Sequence, residues 1–191
     1  MPKLVKPPTL RFNQRFIGID PGQSGGIAIL DRYSDNAQLI VNHFPMPSTL
    51  YETASLVKEW IICNEYTSCR VAIEKVHSRP ATGKDGATVQ GIASTFKFGF
   101  NTGALHGMLA LLGVPVEEVP PLTWMKGLAI HSGKKQQGSK AEWKEALRVR
   151  AQQLFPALPI WTEKRTLGKQ RAICDALLIA EYCRRKLEIR R

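Results

Sequence analysis

The sequence predicts a mixed α/β fold, in which helices flank a five-stranded sheet made of an antiparallel meander plus parallel strands. Three observations carry that prediction. Short apolar runs separated by turn residues fill residues 16–45, helical and strand patterns then alternate, and two long helical patterns close the chain.

"FIGID" (Phe16–Asp20) and "GIAILD" (Gly26–Asp31) read as strands joined by the turn residues "PGQSG", and "AQLIVNHFP" follows after the polar break "RYSDN". "STLYETASLVKEWIICNE" has helical spacing, with Leu50, Ala54, Val57, Trp60 and Ile61 on one face and Ser48 or Thr49 as cap. "RVAIEKV" is a fourth strand ending near Glu74, and "HSRPATGKDGAT" has the composition of an exposed loop. From about Thr88 to Leu112 the pattern is a long helix, although the alternating aromatics of "TFKFGF" leave a strand open there. Gly99, Gly103 and Gly107 stack on one face of that helix, which predicts the close approach of another backbone, from the sheet or from a second subunit. "VPVEEVP" is the fifth strand, "PPLTWMKGL" a short helical or turn segment, and "HSGKKQQGSK" a basic loop. "SKAEWKEALRVRAQQLF" reads as an amphipathic helix with Ser139 and Glu142 as a capping box, and "RAICDALLIAEYCRRKLE" as a largely apolar closing helix.

The 191 residues are enough for one domain with its own core, expected over residues 16–191, behind a basic, proline-bearing arm over residues 1–15. Lys and Arg number 27 against 16 Asp and Glu, a net charge of +11. Such a field draws polyanions, of which nucleic acid is the commonest. No apolar stretch is long enough to span a bilayer, so no membrane partner is expected. The N-terminus lacks a signal-peptide core, and Cys63, Cys69, Cys174 and Cys183 form no metal-binding or redox spacing; a cytoplasmic setting with reduced thiols is expected.

Three acids stand where a core does not want them: Asp20 at the end of the first strand, Glu74 at the end of the fourth, and Asp175 inside the apolar "CDALLIA". Each alone has a plain explanation. Asp20 can open a turn, Glu74 can meet a lysine, and Asp175 can cap a helix. Together they suggest more. If the first and fourth strands are parallel neighbours, Asp20 and Glu74 emerge at one sheet edge, and a helix across that edge can add Asp175. Carboxylates so gathered repel one another unless a hard divalent cation joins them. Two such ions about 4 Å apart stabilise both oxygens of an in-line phosphodiester displacement. Gly25 and Gly26 leave nothing bulky to shield Asp20 from a phosphate.

On these residues the sequence resembles the RuvC-type Holliday junction resolvases, of the RNase H-like superfamily. "FIGIDPGQSGGIAIL", "VAIEKVHSRP" and "CDALLIA" look like the family's three acidic motifs in order, and the resemblance runs from about Phe16 to Tyr182. It implies an RNase H-like fold and a Mg²⁺-dependent endonuclease that nicks four-way DNA junctions as a homodimer, with two ions per site and Mn²⁺ as a substitute. Asp20 would bridge both ions, Glu74 would bind one and Asp175 the other. Lys126 and Lys140 would hold or stabilise phosphates, Lys126 catalytically, and His77 would stack at the junction centre. Arg79, Lys84, Lys134 and Lys135 are the further DNA contacts expected from the two basic loops. One departure stands out. The family usually has Asp or His three positions before the last acid, and here that residue is Ala172. The competing readings are another RNase H-like nuclease, for branched DNA or RNA–DNA hybrid, and a junction-binding protein that no longer cleaves.

Overall fold

The computed structural model describes residues 12–33, 39–61, 68–75, 91–130, 140–162 and 167–188. Five strands, β1 (Phe12–Asp20), β2 (Gly26–Tyr33), β3 (Leu39–Pro45), β4 (Ser68–Glu74) and β5 (Val116–Val119), form one sheet in the order β3-β2-β1-β4-β5. The β1–β2 and β2–β3 pairs are antiparallel, whereas β1–β4 and β4–β5 are parallel. The expected meander and parallel half are both present.

Two-residue alternation sorts the strand side chains between two cores. Ile17, Ile19, Ile27, Ile29, Val71 and Ile73 meet α1 (Leu50–Trp60) and α2 (Ile92–Leu111) on one face. Phe16, Ala28, Leu30 and Ala72 meet α3 (Pro121–Gly127), α4 (Lys140–Leu154) and α5 (Leu167–Glu188) on the other. Both faces are therefore covered, as the parallel half of a sheet requires. Thr49 caps α1 in a full capping box with Glu52. "TFKFGF" is helical, within α2. A 3₁₀ turn over Pro159–Trp161, which the sequence did not suggest, seats Ile160 in the core between α4 and α5.

One expectation needs correction, and one open alternative closes. β1 begins at Phe12, so residues 12–15 belong to the sheet rather than to a basic arm. Arg15 is 4% exposed. Its Nε and Nη2 donate to Asp31 Oδ1 and Oδ2 at 2.6 and 2.5 Å, and its Nη1 donates to the carbonyl of Trp60 at the end of α1. This fork ties β1, β2 and α1 together, and Arg15 is not available to a polyanion. The alternative that closes concerns α2. Among the described residues, no atom lies within 4 Å of where a Cβ would stand at Gly99, Gly103 or Gly107, so these glycines do not admit the sheet.

Candidate active site

Asp20 and Glu74 are brought together by strand register. β1 and β4 run parallel with Ile19 opposite Ile73, so the next residue on each strand emerges at the same sheet edge. Alternation puts both on the face covered by α5. Beyond Asp20 the chain turns at once: the Gly22 N–H donates to Asp20 Oδ1 at 3.1 Å, and the Gly25 N–H donates to Gly22 O at 2.8 Å. A Cβ at Gly25 would stand 2.8 Å from Asp20 Cγ. Only glycine lets the returning strand pass so close to the carboxylate.

Asp175 comes from α5, whose small residues let it lie unusually near the sheet. Ala172, Ala176 and Ala180 recur every four residues on one face. A Cβ at Gly18 would overlap Ala176 O and Ala180 N, and one at Gly26 would stand 3.1 Å from Ala172 O. Backbone thus meets backbone across the helix–sheet contact. Asp175 lies well inside α5, too far from its start to cap it, and is 5% exposed.

Glu74 feels both aspartates, and Asp20 feels Asp175. Burial raises the pKa of Asp20, and the neighbouring Asp175 charge raises it further, against the Gly22 N–H and Lys144. Burial, then Asp20, then Asp175 push Glu74 up to about 7. The buried indole N–H of Trp124 lies toward Glu74 and favours its charged form without reaching hydrogen-bond geometry. Asp175 is raised by burial in spite of an ion pair between its Oδ2 and Lys144 Nζ. For Lys144, burial opposes the charged form, yet the carboxylates of Asp175, Asp20 and Glu74 together outweigh it and raise the pKa.

Lys144, from α4, is therefore the fourth member of the cluster, and the sequence reading overlooked it. A signal existed. Lys144 falls on the helical stripe of Leu147, Ala151 and Leu154, where a solvated lysine has no reason to stand. Lys126, nominated instead, is exposed in the last turn of α3 and is not among the charges acting on the three acids. Lys140 opens α4. His77, Arg79, Lys84, Lys134 and Lys135 lie outside the described residues, as does Ser139.

A hard cation suits this chemistry: three carboxylates, each resisting its charge, with Asp175 Oδ1 buried and lacking a hydrogen-bond partner. As they stand, however, no three of the described His, Cys, Asp and Glu side chains are arranged to hold a metal ion. Lys144 stands among the acids instead.

No family model and no curated protein matches the sequence. Solved structures do. Thermus thermophilus RuvC in complex with Holliday junction substrate superposes over 93% of this chain and 96% of its own, at a TM-score of 0.54 and 16% identity. The chain has the RuvC fold. A further Thermus thermophilus RuvC structure matches over 90% of this chain and 96% of its own, with TM-score 0.50 and 17% identity. The RNase H-like architecture expected from the three acidic motifs is thus present, with its mixed sheet flanked by helices. Among the described residues, no helix is long and apolar enough to cross a membrane.

Proposed function

We propose that this protein is a divalent-metal-dependent endonuclease that nicks four-way DNA junctions. The observation that carries the reading is the convergence of Asp20, Glu74 and Asp175 at one edge of a RuvC-like sheet, each carboxylate pushed toward its protonated form. Repelling buried acids destabilise the fold, and a Mg²⁺ ion, with Mn²⁺ as substitute, relieves the repulsion and supplies Lewis-acid chemistry at a phosphodiester. Asp20, Glu74 and Asp175 are the residues that would hold it. Lys126 and the basic residues His77, Arg79, Lys84, Lys134, Lys135 and Lys140 are proposed DNA contacts. The net charge of +11 supports binding through phosphates, with affinity falling steeply as salt rises.

We also propose a homodimer, since two opposed strands of a two-fold junction need two sites. The outer face of α2 supports this. Phe96 and Phe100 are 73% and 55% exposed with stacked rings 6.3 Å apart, and Gly99, Gly103 and Gly107 continue their stripe toward exposed Leu111. A bare seam of that kind fits a second copy of the same helix.

The deciding experiment is cleavage of a mobile four-way junction in Mg²⁺, Mn²⁺ and Ca²⁺, with Asp175→Asn as control and a fork and an RNA–DNA hybrid as competing substrates. Paired symmetric nicks that vanish in Asp175→Asn are expected. Preference for fork or hybrid would replace the junction reading with a broader RNase H-like nuclease. Ala172 and the Lys144–Asp175 pair favour one alternative specifically, a junction binder; tight binding without nicks in any metal would establish it.

A further inference from the structure

A cleft opens at the same sheet edge as the acids but on the opposite face of the sheet, between the turn after Asp20 and the helices α1 and α2. Counting its open mouth it holds about 450 Å³, within the roughly 300–1,000 Å³ common for small-ligand sites. Its floor is apolar, built from Pro21, from Met46 just beyond β3, and from Leu105 of α2. The cleft is fastened to the carboxylate. The Met46 N–H donates to Gly25 O at 2.9 Å, and in the same turn the Gly22 N–H holds Asp20 Oδ1 at 3.1 Å. One short hydrogen-bonded segment therefore forms the wall of the cleft and orients Asp20.

The polar groups around that floor select the occupant. Gln23, Lys97 and Asn101 line the cleft, and among the described residues their amide and ammonium groups are engaged by no other side chain or backbone group. Asn101 is only partly exposed, so its amide needs a partner that the described protein does not supply. Each primary amide sets a donor beside an acceptor, the pattern that matches the edge of a nucleobase. The α1 side repels anions. There the hydroxyls of Ser48 and Thr49 are spent on Glu52 Oε2, at 2.8 and 3.1 Å, and they hold its carboxyl below the usual range, so it stays charged. A phosphate is thus unwelcome inside. A neutral planar group with a hydrogen-bonding edge fits, and exposed Lys97 is placed to meet the phosphate attached to it.

We propose that this cleft receives one unstacked nucleobase of the strand whose phosphate lies at Asp20, and that Asn101 and Gln23 read its edge. The inference rests on the nuclease reading and deepens it, because it names what fixes the position of the cut along a strand. Gln23 follows Asp20 by three residues, which span at most about 11 Å of chain. The base that is read is therefore the one at the cut or its neighbour. Asn101 and Gln23 touch no reacting atom and act on specificity alone, whereas Lys97 binds phosphate without regard to sequence. Taking a base out of a stack costs least where stacking is already interrupted, as at the exchange point of a junction.

The test has two arms. In the first, the intact isotope-labelled protein is titrated with short single-stranded DNA of mixed sequence, and the side-chain amide signals of Asn101 and Gln23 are followed by NMR. Both should shift; amides that stay in place overturn the proposal. In the second, four-way junctions carrying each base in turn beside the exchange point are cleaved in Mg²⁺ and bound in Ca²⁺. The wild type should favour one base on the order of 10–100-fold in kcat/KM. Asn101→Leu should bring that ratio to within about threefold while keeping its affinity for the junction, and Gln23→Ala, on an exposed turn, should lower it in the same direction. Lys97→Gln should instead weaken binding to every sequence alike, reducing the salt slope by about 1 and leaving the preference intact. A wild type with no base preference, or a preference that survives both amide variants, would overturn the proposal. Because the first arm needs no cleavage, the two readings fail separately. Amides that shift in a protein that nicks no junction leave the base cleft standing and refute the nuclease reading alone.

Discussion

Gly18→Ala is the substitution that most directly tests how the site is assembled. A methyl at this position would stand 2.8 Å from Ala180 Cα, and closer still to Ala176 O and Ala180 N. Carbon–carbon contact is comfortable at about 3.5–4.0 Å, so α5 must retreat by roughly 1 Å. The clashing atoms are helix backbone and cannot rotate aside. The surrounding side chains, Phe16, Ala28, Ile173, Leu177 and Ile179, are at most 1% exposed and leave no slack. Overpacking of this kind lowers stability by about 1–3 kcal/mol. Moving Asp175 about 1 Å from Asp20 should also slow nicking on the order of 10²-fold. Urea unfolding and junction cleavage measure the two effects, with Gly168→Ala as control. That residue is also on α5 with no described atom within 4 Å, and its change should be neutral or slightly stabilising. A Gly18→Ala protein within about 0.5 kcal/mol of wild type and fully active would refute the backbone-contact account.

Three further outcomes are expected. Arg15→Met removes a guanidinium from Asp31, which is 1% exposed, and should cost about 3–5 kcal/mol; pairing it with Asp31→Leu should recover most of that in urea melts, and no recovery would contradict the ion-pair account. In the metal-free protein Glu74 has a pKa of about 7 against 4.5 when unfolded, so the folded state binds the extra proton between those values. Its contribution is fully present below about pH 4.5 and is lost as pH rises through 7. The wild type in chelator should therefore be less stable at pH 8 than at pH 5.5, with Glu74 contributing on the order of 2 kcal/mol of the difference; Glu74→Gln should remove that share, while the raised Asp20 and Asp175 act in the same direction. An equally steep profile in the variant would disprove the assignment. Phe100→Glu should shift the protein from dimer to monomer in sedimentation analysis while its thermal melt is retained, and an unchanged mass would remove α2 as the seam.

What the sequence disclosed followed from local pattern. Short apolar runs between turn residues announced β1, β2 and β4, and acids at strand ends announced the site, because a carboxylate following Ile17–Gly18–Ile19 or Val71–Ala72–Ile73 has no reason within a core to be there. What it withheld depends on contacts distant in the chain. Gly18 read as an ordinary strand residue, and its role shows only once α5 lies across it. The α2 glycines pointed to a close backbone partner, and spacing alone does not say whether that partner is in the same chain. Arg15 counted as one more positive charge near the N-terminus until Asp31, sixteen residues on, met it across the register. Lys144 was passed over because the lysine nearest in type and motif, Lys140, lies one helical turn earlier.

Lys144 also bears on the order of events in the life of the molecule. Small metal-dependent domains must often wait for their ion before they can fold, because nothing else quiets the ligands. Here a counter-charge travels in the polypeptide and reaches Asp175 as α4 docks against α5. On the proposed metal-dependent reading, the chain can thus attain its final shape in an ion-poor environment and load later. A chelator should then silence it without unfolding it, and returning the ion should restore it without a refolding step.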